Sequence, residues 1–285
     1  MSPELVRGIF DVLSLSSILI LLVIGMAIIV GMMKVFNMCQ GELVLLGAVT
    51  AFLCSTYLGN LWIGILLAPI VVGIFGLFLE RTIIHRFYIN PQGALLATFA
   101  IGLVMRESLR NRMSTQSSPV DAPIKELVTI GGANLPIWRI VIIVTTILLA
   151  LAIGYVLLKT NLGVKVRATL DNPDLVSVSG ISTKWMYAGT YAFGSALSGF
   201  AGAMIVPLQT FYPNLGYDNL ILMFIAVMIG GLGQFVGPLA GAALIAIPGA
   251  VIGQFISPVT GQILVLLFAI IFMRFRPGGI FQGRR

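Results

Sequence analysis

The chain has 285 residues, 58% of them hydrophobic and only 9% charged, with a mean hydropathy of +1.05. Soluble domains carry about a quarter charged residues, so this balance excludes an ordinary water-soluble fold. The apolar runs lack the alternation of a transmembrane barrel, which leaves an all-α, polytopic membrane helical bundle. The formal net charge is +7, but the basic residues fall between apolar runs, where they set orientation in the lipid bilayer and give no reason to expect nucleic acid as a partner.

Nine hydrophobic segments follow one another: Ile9–Met33, Leu43–Tyr57, Trp62–Leu79, Ala94–Leu109, Ile137–Leu158, Met186–Val206, Leu220–Leu232, Val236–Phe255 and Gln262–Met273. The first is too long for a cleaved signal and lacks a small-residue cleavage pattern after it. The second, fourth and seventh are shorter than the roughly 20 residues of a perpendicular span, so broken or half-membrane helices are expected there. The whole, residues 1–285, reads as a single transmembrane domain.

Between the first two segments lies Asn37-Met38-Cys39-Gln40-Gly41-Glu42. Hydrocarbon penalises unpaired polar groups, so such a cluster survives where it lines a cavity or faces protein. Asn37, Gln40, Gly41 and Glu42 are therefore expected near a path for a polar solute. The competing reading is structural: Glu42 caps the following helix and Asn37 satisfies the broken backbone. Cys39 and Cys54 would sit about 22 Å apart along one helix, too far for a disulfide. His85, the one histidine, has no company for a metal site, and no cofactor is expected.

Glu80, Arg81 and His85 close the third segment as membrane-interface residues. Arg106 and Glu107 close the fourth and are expected to anchor its outer end, with Glu107 and Arg110 the better-spaced pair. Gln209, Asp218 and Asn219 flank an outer, solvated loop. Three basic clusters can share the cytoplasmic side: Arg81 and Arg86; Lys159, Lys165, Arg167 and Lys184; and Arg274, Arg276, Arg284 and Arg285. That places the C-terminus inside and the N-terminus outside. The cations of the 110–136 loop run against the rule, and a mid-membrane break at 37–42 would change the parity of the first half.

Gly194, Ser198 and Gly202 form a ridge at spacing four, as do Gly237 with Gly241 and Gly249 with Gly253; such ridges let helices approach closely in lipid. Gly230-Gly231-Leu232-Gly233 is too glycine-rich for a helix interior, so a bend is expected. No Walker A pattern occurs, so ATP chemistry resides elsewhere.

The loop 159–184 carries helix punctuation. Asn172 can cap, Pro173 suits the first helical position, Asp174 complements the positive end, and Gly180 can close the helix in the left-handed conformation. About two turns are too few to stand alone in water, so the rest of the chain or a soluble partner must hold them.

Four stretches together resemble the permease subunits of ABC importers for branched-chain amino acids and for urea or short amides. Val35 to Leu43 resembles that family's Asn-x-Ala-His-Gly-Glu segment, with Cys39-Gln40 in place of Ala-His. Gly163 to Gly180, with Arg167-Ala168, resembles its coupling region. Ile229-Gly230-Gly231-Leu232-Gly233 followed by Gly237 resembles its late glycine signature, and Arg276 to Phe281 its Arg-Pro-x-Gly-Leu-Phe ending. The resemblance covers nearly the whole chain in order. It implies a bacterial inner-membrane importer in which two permease subunits form the path. Two cytoplasmic ATP-binding subunits drive it, and a periplasmic or tethered solute-binding protein delivers the solute. The second permease subunit is expected to be a different chain, a heterodimer partner. Gly230, Gly231 and Gly233 then belong with Asn37, Gln40, Gly41 and Glu42 to the substrate path. Arg167, Asn172, Pro173, Asp174, Leu175, Val176 and Gly180 belong to ATPase coupling. Gln40 cannot titrate as the family's histidine can, which leaves branched-chain amino acid and urea or amide both open. A stand-alone channel for a small neutral solute is the other alternative. An enzyme is not expected, since one histidine and sparse carboxylates assemble no catalytic constellation.

Overall fold

Long apolar stretches in lipid satisfy their backbone internally, and the computed structural model is accordingly a helical bundle. It describes residues 3–33, 37–88, 90–112, 119–231, 235–255, 258–276 and 278–280. Val35, Phe36, Leu232, Gly233, Pro277, Phe281, Arg284 and Arg285 of the sequence motifs lie outside these. In chain order the helices are α1 (Pro3–Met33), α2 (Gln40–Leu58), α3 (Leu61–Thr82), α4 (Pro91–Arg112), α5 (Ile137–Lys159), α6 (Asn161–Asp171), α7 (Pro173–Val178), α8 (Thr183–Gln209), α9 (Leu215–Gly230), α10 (Val236–Phe255) and α11 (Pro258–Phe275). A 3-10 turn, Ile84–Phe87, joins α3 to α4. Among the described residues five helices, α1, α2, α3, α5 and α8, are long and apolar enough to cross a membrane.

Two expectations change here. α2 has 19 residues and α4 has 22, so both are longer than their apolar runs suggested, although α2 begins inside the bundle, beside the middle of α8, as a broken span does. α2 starts before its apolar run, at Gln40, and α4 reaches past its own to Arg112, because tertiary partners take up the polar residues. α9, with 16 residues, stays short. The loop 110–136 also holds an antiparallel hairpin, β1 (Leu127–Ile130) with β2 (Ala133–Pro136), pairing Ile130 with Ala133 across Gly131-Gly132. Both glycines have positive φ, 58° and 82°, as a two-residue primed turn requires.

α8 is the hub. Gly25 of α1 meets Gly194 and Ser198, and Gly47 of α2 meets the backbone of Gly199 so closely that a Cβ would collide with it. The small-residue ridge therefore serves backbone contact. α3 packs along another side of α8. Both cysteines are free and buried.

Contacts fix the relative topology. The hairpin touches the start of α1, where Asp11 pairs with Arg139 of α5 at 2.7 Å. Trp62 meets Trp138, Phe52 stacks on Phe211, and Arg110 donates to Asn214 at 3.2 Å, so the start of α9 and the end of α4 share this end. At the opposite end the Arg81 guanidinium lies 3.8 Å from the ring centre of Trp185, at the start of α8. The Ile280 N–H donates to the Ile229 carbonyl, 2.8 Å away, which brings the C-terminal turn to that end of α9. The basic clusters before α4 and before α8 and the C-terminal turn thus lie on one side, and the start of α1 on the other.

Candidate solute path and docking helix

Asn37 and Gln40 sit not at a bundle end but beside Ser198, near the middle of α8. The chain enters along α1, reverses, and leaves along α2. Residues 37–39 are non-helical and buried or nearly so, so each polar group needs a partner. The Asn37 side chain donates to Tyr191 Oη at 2.9 Å and to Gln40 Oε1 at 3.2 Å, and accepts from the Cys39 N–H at 3.0 Å. Gln40, 0% exposed, donates to Ser198, whose hydroxyl in turn donates to the Gly194 carbonyl. The Met38 N–H donates to Thr98 Oγ1 of α4 at 3.1 Å. The network joins α2, α4 and α8.

Gly41 packs on the backbone of Gly216 in α9, and a Cβ on either would strike the other's carbonyl. About two turns of α4 beyond Thr98, Arg106 approaches Glu42. Its Nε and Nη2 donate to Glu42 Oε1 at 2.9 and 2.6 Å, with side chains 15% and 1% exposed. The expectation of Arg106 as an outer anchor is corrected: a carboxylate this deep demands a cation, and Arg106 supplies it. Its guanidinium also lies 4.2 Å from the Tyr217 ring centre. Glu107 does pair with Arg110 at 3.0 Å on the surface, as spacing suggested. Beside the Glu42–Arg106 pair opens a cavity of about 240 Å³ between α4, α9 and Met38 of the turn before α2.

The glycine signature lies apart from this cluster. Gly230 ends α9 and packs on Gly237 of α10, while Gly231, at φ 96°, turns the chain and carries Gly279 against it. The expected bend is there.

Two other polar groups are drawn further inside than expected. Glu80 is buried, where an interface residue was expected, and accepts from Tyr88, whose hydroxyl is pushed well above its usual range by burial and then by that carboxylate. Asn219 is buried and donates to Gln209 Oε1 at 2.9 Å and the Leu215 carbonyl at 2.8 Å. Asp218 accepts from Tyr212, which burial and that bond push up to about 12.

At the basic end, α6 and α7 form a separate projection. Thr160 caps α6 by accepting from the Gly163 N–H at 3.4 Å, and Arg167 donates to the Leu157 carbonyl, tying α6 to the last turn of α5. In α7, Asn172 Oδ1 accepts from the Leu175 N–H at 3.1 Å, Pro173 opens the helix and Asp174 lies in the first turn. Gly180, at φ 81°, closes it: its N–H donates to the Ser177 carbonyl and that of Ile181 to Val176, the two bonds of a Schellman cap. Val176 is buried, while Leu175 and Val178 stand 65% and 86% exposed.

Long apolar helices around a buried polar turn, with a capped helix projecting beyond one end, are the parts of a multi-pass membrane protein of the permease class. Comparison with known proteins gives the family: residues 8–273 match the branched-chain amino acid transport system / permease component, and the chain belongs to that family. It is 23% identical to the high-affinity branched-chain amino acid transport system permease protein BraD of Pseudomonas aeruginosa, over 97% of this chain and 94% of that one. It is 24% identical to the corresponding LivH protein of Escherichia coli K12, over 84% and 82%. A probable branched-chain amino acid transport permease protein LivH of Methanocaldococcus jannaschii is 26% identical, over 81% and 76%. No solved structure matches.

Proposed function

We propose that the chain is one of two permease subunits of an ATP-driven importer for branched-chain or other hydrophobic amino acids. It sits in a bacterial inner membrane with its C-terminus in the cytoplasm, receives its solute from a periplasmic or tethered binding protein, and pairs with a second, different permease chain. The observation that carries this is α7. A six-residue helix, capped at both ends and showing two bare aliphatic side chains, is too short to persist by helix propensity alone. It suits a knob held in a groove of a cytoplasmic ATPase, one per permease. The cations Arg81, Lys159, Lys165 and Lys184 at the same end favour the cytoplasm by the positive-inside rule. Asn172, Pro173, Asp174 and Gly180 shape the knob, Leu175 and Val176 carry its contacts outward and inward, and Arg167 anchors its base. Asn37, Gln40, Gly41 and Glu42 border the path, with Gly230 and Gly231 at its cytoplasmic turn; the resemblance adds Gly233, which lies outside the described residues. The relatives' names favour an amino acid over urea or an amide.

The test is reconstitution of the complete importer in proteoliposomes. ATP-driven accumulation of labelled L-leucine, abolished by substitution of the ATPase Walker A lysine, is expected. Uptake that persists without hydrolysis would mark a facilitator, and accumulation of urea in place of leucine would mark an amide permease.

A further inference from the structure

The cavity beside Glu42 and Arg106 has two kinds of wall. Phe99 of α4 and Leu220, Ile221 and Phe224 of α9 form an apolar side, while Arg106 and Tyr217 form a polar edge. Arg106 is held from behind by Glu42 Oε1 and from the flank by the Tyr217 ring, so its fork is fixed in place. Glu42 lies behind Arg106, 1% exposed and not itself part of the lining, and its Oε2 has no hydrogen-bond partner among the described residues, so its charge acts on the cavity only through space. A buried ion pair with one carboxylate oxygen left over is an expensive arrangement, and such intramembrane charges mark substrate pathways.

The charge pattern selects the solute. A lone anion drawn to Arg106 would be repelled by Glu42, and a lone cation the reverse. A zwitterion offers each member of the pair its opposite. The apolar side gives an aliphatic side chain a surface to bury against, which a urea-sized amide would leave uncovered. We propose, on the basis of the importer reading above, that this cavity is a transit site for an aliphatic α-amino acid. Arg106 takes the carboxylate, Glu42 orients Arg106 and attracts the ammonium group, and Gly102 sets the size limit. Gly102 lies on the wall between Phe99 and Arg106. A Cβ added there would meet Glu42 Cγ at 3.4 Å, Cys39 Cα at 3.7 Å and the Met38 carbonyl oxygen at 3.8 Å, all ordinary contacts. Alanine at 102 is therefore accommodated, whereas the further atoms of a larger residue must displace the 38–42 turn or enter the cavity.

The experiment uses the assembled importer in proteoliposomes. Gly102→Leu is expected to lower L-leucine uptake by the assembled importer about tenfold or more, with L-alanine less affected; steric discrimination in apolar pockets is of this size. Gly102→Ala stays near wild type. A readout free of the binding protein is maleimide labelling of Ile221→Cys, which L-leucine should slow. 4-Methylpentanoate, lacking the ammonium, and 3-methylbutylamine, lacking the carboxylate, should not slow it at the same concentration. Should Gly102→Leu fail to assemble, this protection carries the test. Unchanged leucine uptake in assembled Gly102→Leu, or labelling that leucine does not slow or that all three compounds slow equally, would overturn the transit site. Those results beside a wild-type importer that accumulates leucine leave the importer reading standing; a wild type that accumulates no amino acid removes that reading itself.

Discussion

The buried turn at 37–42 and the docking helix α7 are both short polar interruptions of an apolar chain, yet they are stabilised in opposite ways. α7 is written locally: its cap bonds join residues no more than five positions apart, and its aliphatic residues divide into one buried and two exposed. The 37–42 turn is written across the fold. Asn37 reaches 154 residues to Tyr191, Gln40 158 to Ser198, and Glu42 64 to Arg106. A segment held by distant partners moves when those partners move. Shifts of α4 or α8 are thus felt at the cavity, while α7 can travel as a unit with whatever grips it.

The largest effect should come from breaking the buried ion pair. Glu42→Ala leaves Arg106 charged and unpartnered, at about 3–5 kcal/mol, read as lost thermal stability in detergent. Adding Arg106→Met should restore much of it, and a double variant no better than the single would refute the pairing as the source. Next is Gln40→Ala, which takes one of two hydrogen-bond partners from both Ser198 and the Asn37 amide. About 1–3 kcal/mol and a transport defect larger than any drop in expression are expected, and full transport would exclude Gln40 from the path. Smaller again is Asn172→Ala, removing one cap at about 1 kcal/mol. It should weaken ATPase association without moving the melting temperature of the permease, because α7 lies outside the packed bundle. An equal loss of bundle stability would show that the two regions are not separate.

That contrast also explains what the sequence could disclose. The caps of α7 were legible because Asn172, Pro173 and Gly180 act on their neighbours. The bend at Gly231 was legible for the same reason, and the apolar runs located the helices. Arg106 was misjudged because hydropathy places it at the end of a segment. The usable signal was a matching one: a carboxylate at 42 inside an apolar bundle must find a cation, and Arg106 was a candidate. The depth of Glu80 and Asn219 had no local sign, since Tyr88 and Gln209 reach them only in the folded chain. The hairpin at 127–136 did have one, the Gly131-Gly132 pair after the β-branched Val128, Thr129 and Ile130, and so did α6 in its Thr160 cap. Both were overshadowed by the basic loops around them.

The most direct measurement is leucine accumulation by the reconstituted importer carrying Leu175→Asp. The side chain is 65% exposed, so stability should change by no more than about 0.5 kcal/mol. The expected result is an intact permease with ATPase activity no longer tied to uptake. Accumulation equal to wild type, with the ATPase bound as before, would contradict a bundle that opens its path only when pushed at α7.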